Sequence, residues 1–354
     1  MKKYTCIDAF SGAGGLSLGL KKAGLEVLFA FDNDPVSIET QSMNDRYLGQ
    51  RHAVADINDL LRSKSLLRRT GLKKGELFLL AGGPPCQGFS VQRIGADSDK
   101  RNDLVIAYAR LIDEVRPFFF LMENVPGILG SRGEPIIKSF FSRIEKSGYH
   151  YYFKVLDAED YGVPQRRKRV FVVGVRDDIN NGEFLFPSPT TPRESRVTVK
   201  DIIASLPPPP SDGSEHHRIA NHRRDMLSSL NLARIRALRA GEGMEHLPRA
   251  LLADCHKVGA SKIGHRNVYG RMAWNDVAPT ITARFDSFTR GKFGHPKQDR
   301  SITLREGALL QTFPKDFRFA GTKVDIARQI GNAIPPKLAE IVGRQILKYY
   351  QAGK

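Results

Sequence analysis

Cys86 stands in GGPPCQGFS, residues 82–90, directly after an apolar run at 77–81. Two glycines and two prolines fix a rigid loop at the end of a buried strand, where open α/β sheets hold ligands. A thiolate there is an intrinsically strong nucleophile that needs only local activation. The competing reading of a lone cysteine is a small buried hydrophobe, and it suits Cys6, inside the first apolar run. Another apolar run, 118–122, delivers Glu123 in ENVPG to what would be the same sheet edge. Partial desolvation there raises a carboxyl's pKa and suits a general acid; a solvated strand-end acid is the plain alternative. A third element, QRRKR at 165–169, abuts the apolar run 170–175. Alternate residues of an extended stretch point one way, so Gln165, Arg167 and Arg169 could face one site together. Taken singly, a basic run is usually a solvated face.

The first strand-like run ends in DAFSGAGGL, residues 8–16. Glycines between a strand and a helix let backbone approach a ligand, and the helix start offers unpaired N–H groups. The dinucleotide pattern GxGxxG fails because Ser17 occupies its third glycine position. About twenty residues on, the next run ends in Asp32-Asn33-Asp34, where a carboxylate commonly accepts from ribose hydroxyls. A nucleoside cofactor and a plain tight turn both remain open here, and S-adenosylmethionine suits the spacing better than NAD. Cys255 beside His256 lacks a CxxC partner, so no metal site is expected.

These residues need a sheet to position them. Strand-like runs at 4–9, 27–31, 77–81, 118–123 and 170–175 alternate with helix-like stretches, the pattern of a parallel sheet covered by helices on both faces. The alternation breaks at Asn180-Asn181-Gly182 and the prolines at 187, 189 and 192. An amphipathic helix is expected over roughly 223–240, with Leu227, Leu230, Ile235 and Leu238 apolar and Gly241 closing it. Pro335-Pro336 opens a last helix at about 334–350. The net charge is +17, of which residues 1–180 carry +5 and 181–354 carry +12. Such a balance points to a polyanionic partner, although charge can also serve solubility alone. Three cysteines exclude a disulfide scaffold. Apolar runs as short as 118–122 cannot span a bilayer, which needs about 20 residues. With no secretory signal at the N-terminus, a cytoplasmic protein is expected.

Taken in order, these blocks resemble the DNA cytosine-5 methyltransferase family. The matching pieces are FSGAGG at 10–15, Asp34, Asp56-Ile57, GGPPCQGFS, ENVPG, QRRKR, ITLREGALLQTFP at 302–314 and QIGNAIPP at 329–336. Only about 180–275 falls outside them. The resemblance implies a Rossmann-like S-adenosylmethionine-dependent methyltransferase fold with a smaller, irregular target-recognition domain. The catalytic domain would span 1–180, completed by 325–354 through a returning C-terminal helix, and the recognition domain 181–324. Cys86 matches the thiolate that adds to C6 of a flipped-out cytosine, and Glu123 the group acting at N3. Arg167 and Arg169 match the arginines that hold the base and a nearby phosphate. Phe10, Ser11, Gly12, Gly14, Gly15, Leu16, Asp34, Asp56, Ile57, Asn332, Ala333 and Ile334 match the S-adenosylmethionine site. Pro35 stands where some relatives carry an aromatic that stacks on adenine, which puts that contact in doubt.

The implied partner is double-stranded DNA, bound by a monomer. Gln165, Arg266, Arg271, Thr280, Arg284, Arg290, Lys292 and Lys297 are the expected contacts to it; for each basic side chain a solvated role is the alternative. A tRNA cytosine-5 methyltransferase is the main competing reading, disfavoured by the long basic segment at 181–302. A binding-only paralogue has no chemical need for Cys86, Glu123 and Arg167 together. An NAD oxidoreductase is remote. The recognition sequence, and the presence of a companion endonuclease, are not encoded in these motifs.

Overall fold

The computed structural model describes residues 4–85, 103–257 and 268–354. It divides into two compact units. The first comprises Met1–Asp157, Lys168–Pro189 and Ile334–Lys354; the second comprises Ala158–Arg167 and Thr190–Ala333.

The first unit is built on a seven-stranded sheet. Its strands are β1 (Thr5–Ala9), β2 (Glu26–Asp32), β3 (Arg51–Val54), β4 (Leu79–Gly82), β5 (Phe119–Asn124), β6 (Tyr149–Asp157) and β7 (Lys168–Arg176). The order is β3-β2-β1-β4-β5-β7-β6. The first five strands in this order run parallel. The last two do not: β7 is antiparallel to both β5 and β6. The all-parallel sheet expected from the alternation is corrected at that edge. Its helices are α1 (Gly15–Ala23), α2 (Pro35–Ser42), α3 (Ile57–Ser63), α4 (Leu66–Thr70), α5 (Asp103–Val115), α6 (Glu134–Lys146) and, at the chain's end, Pro336–Ala352.

Successive residues of a strand face opposite sides, and β5 shows what each side meets. Phe120 points at Phe140 of α6, ring centroids 5.9 Å apart. It joins a core of Ile7, Phe29, Leu80, Met122 and Val172 from the sheet with Val105, Ile112 and Ile144 from the helices. Gly174 opposite has no room for a side chain, since a Cβ there would lie 1.7 Å from the Phe120 ring. Phe119 turns the other way, onto Tyr349 and Tyr350 of the last helix. That helix packs closely on α1 through small residues: a Cβ at Gly19 would fall 2.4 Å from Ala339 Cβ, and one at Gly343 2.9 Å from Ala23 Cβ.

The second unit contains no strand among the described residues, only the isolated bridges Gln165↔Ala278, Arg271↔Gly294 and Gly294↔Ser301. Its helices are α7 (Val199–Ile203), α8 (Ser229–Arg236), α9 (Leu304–Leu310) and α10 (Lys323–Asn332), making Pro336–Ala352 α11. The helix expected over 223–240 is thus confined to α8. Ser228 starts it late by accepting from Asn231 N–H. Leu238 and Leu227 still reach a core with Ile235, Tyr269 and Phe288, while Leu230 is 49% exposed.

The unit boundaries differ from the expected cuts at 180 and 324, for reasons visible in the hydrogen bonds. Residues 158–167 belong to the second unit because Arg166 N–H donates to Ala278 O, Ala278 N–H to Pro164 O and Thr190 N–H to Asp160 O. α10 belongs there too; a Cβ at Gly331 would strike the Thr282 backbone at 2.2 Å. Residues 181–189 stay with the first unit, where Phe184 packs on Tyr349 and Gln345 donates to Leu185 O. No helix among the described residues is long and apolar enough to cross a membrane.

Candidate active site

In a sheet with this order the crevice for ligands lies beyond the carboxyl ends of the parallel strands, where the winding reverses between β1 and β4. The first unit brings the glycine loop, Asp34, Asp56, Gly82-Gly83 and Glu123 to that edge. β1 is followed by Phe10, whose φ of +56° is unusual for a bulky residue; Gly12 and Gly14 come next at +50° and +88°. Left-handed backbone costs a non-glycine residue stability, and such strain concentrates where a ligand is held. Phe10 is steadied by Phe31 and Tyr108. Ser11, Gly14, Gly15 and Leu16 are buried, so Leu16 belongs to the packing beneath the loop. Under it lies Asp8, wholly buried, with Ser17 Oγ donating to its carboxylate at 2.6 Å. Burial pushes Asp8 up to about 7, the Ser17 hydrogen bonds only partly offset this, and the Asp32 charge adds to it.

Asp34, half-buried, sits at the head of α2 and accepts from Ser37 Oγ at 2.7 Å. Asp56 caps α3 by accepting from Asn58 N–H at 2.7 Å. Ile57 is core, 2% exposed. Ile334 is buried in the first unit, its Cδ1 4.0 Å from where a Cβ on Gly83 would be. Asn332, exposed, and Ala333 belong to the second unit, and Ala333 O accepts from Arg167.

Cys86 lies outside the described residues, as does Arg266. The two glycines that lead to Cys86 are tightly placed. A Cβ at Gly82 would meet Ala9 O at 2.8 Å, and one at Gly83 would meet Glu123 Oε2 at 3.3 Å. Tyr108 OH donates to Leu80 O and Leu121 O, tying the ends of β4 and β5 together. Asn124, next to Glu123, donates from Nδ2 to Pro84 O at 3.1 Å and accepts Val125 N–H on Oδ1. Sequence reasoning singled out neither Tyr108 nor Asn124; the N of ENV was the only available signal. Glu123 is 8% exposed, and Arg169 Nε pairs with its Oε1 at 2.8 Å. The solvated strand-end alternative for Glu123 is therefore set aside.

Of the three residues expected at one site, Arg169 belongs to the first unit and Gln165 and Arg167 to the second. Gln165, fully buried, donates to Gln311 Oε1 and accepts Ile281 N–H. Arg167, 1% exposed, donates to the carbonyls of Ile281, Gly331 and Ala333. Both tie parts of the second unit together. Arg271, 5% exposed, donates to the carbonyls of Ile235, Leu238, His295 and Gln298 and pairs with Asp299. Among the other expected DNA contacts, Arg284 pairs with Asp286 and Lys292 with Glu245. Thr280 Oγ1 donates to Arg166 O, and Arg290 and Lys297 are exposed. No group of three metal-ligating side chains occurs among the described residues.

Comparison with known proteins agrees with this geometry. The C-5 cytosine-specific DNA methylase family matches residues 4–348. The type II methylase M.HgiDII of Herpetosiphon aurantiacus is 35% identical over 350 residues, 98% of this chain and 95% of that protein. The type II methyltransferase M1.HphI of Haemophilus parahaemolyticus is 33% identical, covering 97% of this chain and 87% of that protein. A solved structure described as a DNA modification methyltransferase encoded within an E. coli prophage superposes with a TM-score of 0.74 at 28% identity, over 99% of this chain and 100% of that one. The S. pombe Dnmt2 methyltransferase shares the fold, with a TM-score of 0.60 at 17% identity over 98% and 99% of the two chains. The strand-end carboxylate with its arginine, the open glycine loop and a match spanning nearly every residue lead to one assignment: the chain belongs to the C-5 cytosine-specific DNA methylase family.

Proposed function

We propose that this chain methylates C5 of a flipped-out cytosine in a specific double-stranded DNA sequence, as the modification enzyme of a restriction–modification system. The observation that carries the reading is the Glu123–Arg169 ion pair, set against Gly83 at the carboxyl edge of the sheet. Cys86 follows three residues after Gly83. Its thiolate adds to C6 of cytosine, forming the S–C6 bond while the C5=C6 electrons shift toward N3 and make C5 nucleophilic. Glu123 acts at N3 in its protonated form, giving its proton to N3 as the charge develops there and returning to the carboxylate that Arg169 pairs with. Once C5 carries the methyl group, a base takes the C5 proton, the C5=C6 bond re-forms and the S–C6 bond breaks, releasing Cys86 as the thiolate. Because none of this can happen inside the base stack, the base must leave the helix.

The glycine loop supports S-adenosylmethionine as the donor. Gly12 presents open space where a side chain would be, and Asp34 stands half-exposed nearby for ribose hydroxyls. When bound there, the donor supplies an electrophilic methyl group. Asp56 and the Ile57 backbone flank the adenine end. Exposed basic side chains of the second unit, Arg290 and Lys297 among them, supply phosphate contacts to DNA. The named relatives are type II methylases and the matching family is one of DNA methylases, which favours DNA over tRNA. We place a monomer in the cytoplasm on the same reading.

Tritiated S-adenosylmethionine with duplex DNA should label cytosine C5, and Cys86→Ser should abolish turnover. Label on adenine, on the cytosine amine or on tRNA alone would sink the assignment.

A further inference from the structure

Tyr108 brings a hydroxyl to a place where the core needs only a ring. It lies on α5 with Val105, Leu111 and Ile112 one turn away on either side, all of them fully buried. A phenylalanine would fill the same space, and a buried hydroxyl is costly unless it is hydrogen-bonded. This one donates to Leu80 O of β4 at 2.9 Å and to Leu121 O of β5 at 3.0 Å. A strand carbonyl has a second lone pair to offer beyond its ladder bond. Burial pushes the phenol well above its ordinary range, with Cys6, Asp8 and Tyr149 adding to it electrostatically, so the shared proton stays in place.

The two carbonyls are one step apart in the ladder, because Leu80 pairs with Phe120 and Ala81 with Leu121. A single oxygen keeps both bonds at only one relative placement of the strands; a slide of β5 along β4 stretches at least one. What the strands carry next gives that placement its weight. β4 ends on Gly82, with Gly83 following, and β5 reaches Glu123 two residues after Leu121. A Cβ on Gly83 would lie 3.3 Å from Glu123 Oε2. The Tyr108 ring adds a second constraint, its Cε2 3.1 Å from where a Cβ on Gly82 would be. Tyr149 supplies the contrast. It is 3% exposed in the same core, and its hydroxyl donates to Pro117 O at 2.6 Å, at the amino end of β5.

We propose that Tyr108 is a positioning residue for methyl transfer, its hydroxyl setting the approach of the Gly82-Gly83 turn to the Glu123 carboxyl. It lies in none of the blocks that resemble the family. The proposal rests on reading Glu123 as the group that acts at N3. Such a role shows in the rate of the chemical step, since a misplacement of about 1 Å can cost about a hundredfold.

The test compares two variants of the full chain. Tyr108→Phe keeps the ring and removes the hydroxyl; Tyr149→Phe removes a buried hydroxyl from the other end of β5. Methyl transfer from S-adenosylmethionine to duplex DNA is followed well below the melting temperature of each protein. Tyr108→Phe should lower kcat about tenfold, with KM for donor and DNA within about twofold, and Tyr149→Phe should keep kcat within about twofold. If Tyr108→Phe also keeps kcat within about twofold, the hydroxyl is structural only and the proposal is overturned. An equal loss in both variants overturns it too, because general loosening of β5 would produce that result. Glu123→Gln separates this failure from that of the reading beneath it. If it cuts kcat while Tyr108→Phe does not, the reading of Glu123 stands without the proposal. If it leaves kcat unchanged, that reading falls and takes the proposal with it.

Discussion

Removing one partner of the Glu123–Arg169 pair should cost stability and activity by separable amounts. The charges approach to 2.8 Å, with the arginine side chain 14% exposed and the carboxylate 11%. At an effective dielectric near 20, that separation corresponds to an attraction of about 6 kcal/mol before desolvation is subtracted. Stranding one charge in such a setting costs about 3–5 kcal/mol, and the residual solvent contact favours the lower end. Glu123→Ala and Arg169→Ala should therefore each cost about 3 kcal/mol, or roughly 6–12 °C in melting temperature. The double variant should cost little more than either, because removing the second partner also removes the stranded charge. The resulting coupling energy should be at least about 1.5 kcal/mol. Chemical denaturation of the four proteins measures it, and additivity within about 0.5 kcal/mol would refute a direct pair. Glu123→Gln keeps the shape and removes the charge. If the carboxyl stabilises charge at N3, kcat should fall about 10²–10³-fold in tritium transfer at saturating DNA. Retention of more than about a tenth of the wild-type rate would leave the pair a structural feature only.

Two further outcomes follow from the second unit. His295 accepts two backbone N–H groups, from Lys297 and Gln298, on Nδ1. Burial is the main force depressing its pKa to about 4; Arg300 and Arg271 add to the depression and Glu306 opposes it. Its folded pKa lies below the unfolded value, so the unfolded chain takes up the proton first. The contribution to stability is present above about pH 6.5 and is lost toward pH 4, by at most about 3 kcal/mol. Unfolding measured across that window should show a shallower pH slope in His295→Gln, and an unchanged slope would count against the assignment. Arg271→Met should destabilise by about 3 kcal/mol, through the donors lost at four carbonyls, of which Ile235 O and Gln298 O each keep a backbone N–H, and at Asp299, which keeps Arg236. Its DNA affinity, measured by anisotropy well below the melting temperature, should stay within about twofold; a large loss would restore Arg271 as a DNA contact.

The parts of the fold that were legible in the sequence are those where burial is two-sided. β1, β2, β4, β5 and β7 carry continuous apolar residues because helices cover both faces, and all five were anticipated. β3 and β6 were missed because they are the two edges of the sheet. β3 is Arg51-His52-Ala53-Val54, with no buried residue, and β6 mixes His150 and Lys154 among half-exposed aromatics. The direction of β7 could not be read either. An apolar run looks the same in both directions, and β7 is reversed because it returns antiparallel along β6, the strand that precedes it. At the candidate site, motifs pointed to Glu123, Asp34 and the glycine loop, which the first unit carries at the carboxyl edge of its sheet. The residues that hold this edge, Tyr108 and Asn124, gave little signal, because their work depends on distances that spacing does not reveal.

Arginine misled residue by residue, and for a physical reason. The second unit has almost no regular secondary structure, so its loops leave carbonyls without ladder partners, and buried carbonyls must find donors. An arginine offers five donors in a rigid fork and keeps its charge when buried. It can close several loop ends at once, as Arg271 does, and as Arg305 does through Ala220 O and Phe317 O. Arg300 does it with a buried carboxylate, paired to Glu306 at 2.7 Å. A long basic segment is therefore what an irregular unit needs for its own cohesion as well as for a polyanion. The two demands can still be told apart by charge. In residues 181–354 the buried side chains among those described include Arg234, Arg271, Arg300 and Arg305, but also Asp286 and Glu306. The net excess of +12 there consequently drops by only two on the surface. The total charge survives as an argument for an anionic partner even though residue type alone does not separate buried arginines such as Arg271 from exposed ones. Salt dependence of DNA binding, at about −0.9 per phosphate neutralised, should then be set by exposed groups such as Arg290 and Lys297 and be indifferent to Arg271 and Arg305.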